Sequence, residues 1–272
     1  MLRPFVDGVL AAVLSAPCVV CGQILDAPMA GPVCRACWTD VRLISPPICG
    51  RCGYPLAAPP PEGAASCAAC ARLHALGSLR AAGAYAGTLR QLLHALKYTR
   101  RRSLAATLSR LAAERGAAML EGAHVAVPVP LHPIRLWTRG FNQADLLARG
   151  LGIPVRRLLR RRRATVPQAS RTGAARAVNV HNAFALARPA AWTRPHVEGR
   201  VIVLVDDVST TGATLDECAV VLRAAGARDV RAVVVARTLR YGGQDERPEG
   251  FDGLAAGPEG CRADSARAGL EG

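Results

Sequence analysis

The sequence predicts a doubly wound parallel α/β sheet with a small amino-terminal metal module, on three observations. Val201 to Val205 is a continuous, mostly β-branched apolar run that ends in Asp206 and Asp207 and then a hydroxyl- and glycine-rich turn, Ser209 to Thr214. A run of that kind reads as a buried parallel strand. From about Gly77 onward strand-like and helix-like patterns alternate, as they do where helices cover both faces of a sheet. Ahead of that region, eight of the ten cysteines fall into four pairs of identical spacing.

Taken in order, residues 1–17 are expected to form a helix. Val9 to Ala16 is apolar, but Asp7 interrupts its approach, Arg3 is its whole charged leader, and a cysteine pair begins at Cys18. It reads as an amphipathic helix packed on the metal module rather than a signal-peptide core, and it is too short to span a bilayer. The metal module is expected over 18–72, with a Pro- and Ala-rich loop from Ala57 to Ala65 inside it. The sheet domain follows over 77–240. Gly83 to Tyr85 reads as a short edge strand, Thr88 to Lys97 and Leu104 to Met119 as helices, and Val125 to Val129 as a strand whose prolines place its end at an edge or outside the sheet. Asn142 caps a helix running to Arg149. Val201 to Val205 and Val230 to Ala236 complete the parallel set. Between them a helix presents Leu215, Cys218, Ala219 and Leu222 on one face and stops at Gly226. Residues 241–272 are rich in Gly, Pro, Arg and Glu without periodicity and are expected to be disordered. Cys261 lies there and reads as a free thiol, and Cys218 as a small core residue.

The paired cysteines are Cys18/Cys21, Cys34/Cys37, Cys49/Cys52 and Cys67/Cys70. Two intervening residues let one chain reversal aim two thiolates at a tetrahedral ion, and two such knuckles close a structural zinc site with no open position. Without another long apolar run, the chain reads as cytoplasmic with no membrane insertion, and there such a pattern indicates metal rather than disulfides. Gly22 and Gly53 follow the second cysteine of their pairs, where a knuckle calls for positive φ. Pairing by sequence order puts Cys18, Cys21, Cys34 and Cys37 on one zinc and Cys49, Cys52, Cys67 and Cys70 on another; the spacing equally allows a cross-braced arrangement.

Half of the 272 residues are hydrophobic but only 4% are aromatic, so the core must be built from Leu, Val and Ala. The formal net charge of +15 is uneven: from Leu151 to Arg200 eleven arginines face one acid, Glu198. Such a block favours phosphates, as a small substrate or as nucleic acid. In a chain that writes arginine nearly everywhere, Lys97 is the single lysine, which points to a position wanting a compact ammonium rather than a planar fork.

The turn after Val205 suits a sugar phosphate. Backbone N–H groups at the start of the next helix cradle a phosphate, Gly212 lets the backbone approach, and two carboxylates reach for ribose hydroxyls. The stretch from Val201 to Thr214 resembles the 5-phosphoribosyl-1-diphosphate (PRPP) loop of type I phosphoribosyltransferases. Together with Val127 to His132, Arg139 to Ala144, Leu96-Lys97-Tyr98, the segment from Asn179 to Phe184 and the cysteine pairs, the chain resembles the ComF family of phosphoribosyltransferase-like competence proteins, from about Cys18 to Arg237. The resemblance implies a type I phosphoribosyltransferase-like sheet, two structural zinc ions, and Mg²⁺ bound with PRPP. It implies that Asp206 and Asp207 hold the ribose hydroxyls, directly or through the Mg²⁺ water shell, and that Thr210, Thr211, Gly212, Ala213 and Thr214 hold the 5-phosphate. Arg135 and Arg139 would meet the diphosphate and Lys97 would assist; Asp206, Asp207 and Arg139 are the catalytic candidates. Residues 160–184, with Arg163, Thr165, Gln168, Arg171, Arg176 and Asn179, occupy the place of a mobile lid.

No segment reads as a hood for an acceptor base, which leaves readings of different kinds. One is a DNA-linked competence factor that keeps the PRPP site and binds single-stranded DNA through the Arg160–Arg163 run, alongside other competence proteins. Another is a working phosphoribosyltransferase on a small acceptor that no residue names. A third is a zinc-ribbon regulator that senses PRPP.

Overall fold

The computed structural model describes residues 16–59, 67–70, 73–99, 101–162 and 182–239. All but the last two residues of the expected amino-terminal helix, most of the lid and the expected disordered tail with Cys261 lie outside them. The described residues fall into two compact units, 16–41 and 42–239.

The smaller unit is a knuckle and a short helix around one cysteine cluster. Pro17 and Ile24 form an antiparallel bridge across the turn that carries Cys18 and Cys21. Helix α1 (Arg35–Thr39) begins at Cys34, whose sulfur accepts from the Cys37 N–H at 3.5 Å. Cys18, Leu25 and Cys37 make a small core of their own.

The larger unit is built on four parallel strands: β1 (Ser78–Ala84), β2 (Val125–Pro128), β5 (Val201–Ser209) and β6 (Asp229–Arg237), in the order β1-β6-β5-β2. A single parallel bridge, Ala126 to Val155, continues the sheet beyond β2. Two short strands, β3 (Leu159–Arg161) and β4 (Phe184–Leu186), form a separate antiparallel ribbon. The helices are α2 (Gly87–Tyr98), α3 (Leu104–Arg115), α4 (Ala117–Leu120), α5 (Pro133–Arg139), α6 (Gln143–Arg149), α7 (Ala190–Thr193) and α8 (Ala213–Ala224). Helices α3 and α6 pack on each other and on the sheet, while α8 packs on β4, β5 and β6. Among the described residues no helix is long and apolar enough to cross a membrane.

Three departures from the sequence reading have local causes. The helix expected from Leu104 to Met119 is interrupted at Gly116, where a Cβ would stand 2.8 Å from a Val233 methyl, so the helix passes too close to β6 for a side chain. The strand expected to stop at Val205 continues to Ser209, because β6 pairs with it as far as Arg237. The segment after β2 is helical over Pro133–Arg139: His132 caps it by accepting from the Ile134 N–H at 3.3 Å, Pro133 opens it, and Gly140 closes it at φ 76°.

The second cysteine cluster, which the sequence groups with the first in an 18–72 module, belongs to the sheet-bearing unit. Cys49, Cys52 and Cys70 share one buried core with Leu73, Leu76, Ile202, Leu204, Leu215, Cys218 and Leu222. This ribbon therefore covers the same sheet face as α8. Arginines fasten it there: Arg51 donates to the carbonyls of Leu73 (2.7 Å) and Leu76 (3.0 Å), Arg80 to that of Gly50 (2.7 Å), and buried Arg237 to that of Cys52.

Candidate functional site

The cysteines form two groups, Cys18, Cys21, Cys34 and Cys37, and Cys49, Cys52, Cys67 and Cys70; in each, the four sulfurs lie within 4.8 Å of one another. This is pairing in sequence order. Zinc–thiolate bonds of about 2.3 Å set tetrahedral edges of about 3.8 Å. The sulfurs of Cys21 and Cys34 are 3.8 Å apart, those of Cys49 and Cys70 3.5 Å, and those of Cys67 and Cys70 3.9 Å. Burial opposes ionisation of Cys49, but N–H donors from Cys52 and Arg51 outweigh it and bring that thiol down to about 6. Gly22 and Gly53 take φ values of 77° and 65°, as a knuckle requires. The donor sets fit two structural zinc ions. Elemental analysis should return two zinc per chain; one equivalent or less, with the remaining thiols freely titratable, would remove a site.

The second candidate site lies where β5 runs into α8. Successive strand residues project to opposite faces, so Asp206 and Asp207 part. Asp207 is buried and meets the Lys97 ammonium of α2 at 2.6 Å, with side-chain exposures of 6% and 16%. Although burial opposes its charge, the Asp207 carboxylate holds Lys97 above the usual lysine range. The Lys97 ammonium also stands 5.9 Å from the Tyr85 ring centroid. The chain's one lysine is thus the counter-ion of a candidate catalytic carboxylate. Asp206 takes the other face, where it interacts electrostatically with Cys218 and Arg161. Burial, and then the Asp207 carboxylate, push Asp206 well above the usual carboxylate range.

The turn beyond the strand has the features of an anion cradle. Gly212 adopts φ 81°, a conformation that calls for glycine, and a Cβ there would stand 2.8 Å from a Leu73 methyl, which would have to shift. The Thr211 hydroxyl accepts from the Ala213 N–H at 3.4 Å, Thr210 is exposed, and Thr211, Ala213 and Thr214 are half-buried. Ser209 Oγ is buried without a hydrogen-bond partner among the described residues. Asp216, in the first turn of α8, accepts from the N–H groups of His74, Ala75 and Leu76 at 2.8–3.1 Å. The phosphate-loop candidate is therefore tied to the chain leaving the second cysteine cluster.

Arg135 and Arg139 lie on α5. Burial first, and then the Arg135 guanidinium, disfavour the charge of Arg161, which Asp206 favours. Arg139 is held back, donating to Gln143 Oε1 at 2.7 Å with its guanidinium 5.4 Å from the Tyr98 ring centroid. Arg161 is the residue the sequence reading left unseparated within the Arg160–Arg163 run. In strand β3 it turns inward, its guanidinium 5.3 Å from the Phe184 ring centroid, while Arg160 and Arg162 stay exposed. Period-two alternation could have singled it out had the run been read as a strand. Arg163 and the remaining lid candidates Thr165, Gln168, Arg171, Arg176 and Asn179 lie outside the described residues.

Residues 9–71 match the double zinc ribbon domain, and residues 136–251 the phosphoribosyl transferase domain. The chain is 35% identical over 219 residues to the DNA utilization protein YhgH of Salmonella typhimurium, covering 76% of this chain and 91% of that one. It is 32% identical over 231 residues to Competence protein F of Haemophilus influenzae, covering 81% and 96%. A solved glutamine PRPP amidotransferase from B. subtilis matches 48% of this chain and 26% of its own at 26% identity, with a TM-score of 0.32, too low to carry an argument. A double zinc ribbon joined to a phosphoribosyltransferase-type sheet, and likeness over almost the full length of these relatives, establish that the chain belongs to the ComF family.

Proposed function

We propose that this protein binds PRPP with Mg²⁺ at the carboxyl end of β5 and works in the cytoplasmic use of incoming or recycled DNA, contacting single-stranded DNA and other competence proteins. The supporting observation is the joining of Asp206 and Asp207 to the Thr210–Thr214 turn at the start of α8, with Lys97, Arg135 and Arg161 around it. The helix start and its backbone N–H groups receive the 5-phosphate. The carboxylates are hard oxygen donors suited to Mg²⁺ or its water shell, and the bound ion would neutralise the diphosphate. Lys97 compensates one carboxylate, while Asp206 carries the charge left over. Arg139 meets the diphosphate only on leaving Gln143. The names of the relatives support the DNA role. Retention of both carboxylates favours a second reading, turnover of PRPP on a small acceptor, which pyrophosphate release with candidate acceptors or single-stranded DNA would reveal.

Calorimetry with PRPP and Mg²⁺ tests the binding. Ribose and metal need Asp206 ionised, so affinity should fall on acidification, beginning at a higher pH than an ordinary aspartate near 3.9 would give. The comparison is with Asp206→Asn, so that titration of the ligand phosphates cancels. Parallel profiles for the two proteins would remove Asp206 from the site.

A further inference from the structure

A cleft of about 540 Å³ opens on the larger unit between the carboxyl half of α6, the segment 155–158 and the segment 187–196. Its described lining carries four arginines, Arg149, Arg156, Arg157 and Arg188, with His196 and one large aromatic, Trp192. The lining carboxylate, Asp145, is buried and already taken: Arg157 Nε donates to both its oxygens at 2.9 Å. That contact orients Arg157 while its side chain stays 68% exposed. Trp192 is 70% exposed, so its indole is not part of the core. Beyond the cleft the positive charge continues along β3 and just past it, where Arg160 and Arg162 are exposed.

Arginines over a backbone and an aromatic under a base are what single-stranded nucleic acid requires. A cavity of this size is within the roughly 300–1,000 Å³ range of small-ligand sites, suited to a nucleotide-sized piece of a longer strand. Arg160 and Arg162 supply the track that a mononucleotide would not need. We propose that this cleft, rather than the Arg160–Arg163 run alone, is the anchoring site for single-stranded DNA, with Trp192 stacking on a base and Arg156, Arg157 and Arg188 on the phosphates. Arg161, turned toward Asp206 on the same short strand, stays with the PRPP site. The proposal rests on the DNA-linked reading above.

The experiment is fluorescence anisotropy of the full-length zinc-loaded protein with a labelled oligo-dT of about twelve nucleotides, at a series of salt concentrations. Trp192→Ala should weaken binding about 10- to 100-fold, the usual loss of one base stack, with little change in salt slope. Arg156→Gln combined with Arg188→Gln should lower the slope of log affinity against log salt by about 1.4, at about 0.7 per phosphate. These side chains are exposed, so thermal melting and PRPP affinity should not change in either variant. Wild-type binding retained in both variants would overturn the cleft and leave DNA binding standing elsewhere. Absence of oligonucleotide binding by the wild-type protein would overturn the DNA-linked reading itself.

Discussion

Serine in place of Cys70 is expected to abolish PRPP binding and to lower the melting temperature of the sheet domain by more than about 10 °C, whereas serine in place of Cys34 is expected to do neither. Both substitutions remove one thiolate from a four-cysteine site, and a structural zinc of this kind contributes on the order of 10 kcal/mol to the fold that holds it. The difference lies in what each ribbon is attached to. Cys34 serves a knuckle whose small core of Cys18, Leu25 and Cys37 is its own. Cys70 is buried in the core shared with β5 and α8, and the chain leaving it delivers Leu73 against Gly212 and three N–H groups to Asp216. Releasing that segment leaves the Asp216 carboxylate unsatisfied and the turn from Thr210 to Thr214 without its backing. Calorimetry for PRPP and scanning calorimetry for stability check the pair. Equal losses in the two variants would contradict the division of labour, which treats the second zinc as a support of the phosphate loop and the first as independent of it.

That asymmetry was not legible in the sequence, although the cysteine sets themselves were. Ligand spacing is a local property, and Cys-x-x-Cys pairs taken in order identify both clusters. Which cluster joins which core depends on contacts between residues far apart in the chain, such as His74 with Asp216 and Cys52 with Arg237, and no periodicity reports those. The sheet strands were legible for the same local reason: Val201 to Val205 and Ala232 to Ala236 are apolar runs buried on both faces. Their ends were less so, because Asp206, Asp207 and Ser209 stay in the strand only through pairing with β6. Helix α5 is not legible because it is only seven residues long, too short to show a period, and it buries none of its apolar residues. The singular Lys97 stands out in the sequence, but its buried partner Asp207, 110 residues on, could be identified only in the fold.

Opposite effects on stability are expected from two substitutions that look alike, Asp206→Asn and Asp207→Asn. Asp207 is the buried partner of Lys97. Its replacement leaves a mostly buried ammonium with a neutral acceptor, at a cost of about 1–3 kcal/mol for a weakened charged hydrogen bond. Asp206 has no such cation at hydrogen-bond distance among the described residues; burial and the Asp207 charge raise its folded-state pKa. A carboxyl whose folded pKa exceeds its unfolded one is a liability at any pH above the unfolded value, neutral pH included, and ceases to be one as pH falls below that value. Asp206→Asn should therefore raise the melting temperature at pH 7, by about 2–4 °C for each kcal/mol relieved, and the gain should vanish in acid. Both variants should lose PRPP affinity in the presence of Mg²⁺ if the proposed site is right, since in it each carboxylate serves the ribose or the metal. Stabilisation with loss of binding marks a group kept for its ligand against the interest of the fold. Unchanged affinity in both variants would release the carboxylates from the assignment, and a lower melting temperature for Asp206→Asn would show that its charge is compensated within the folded chain.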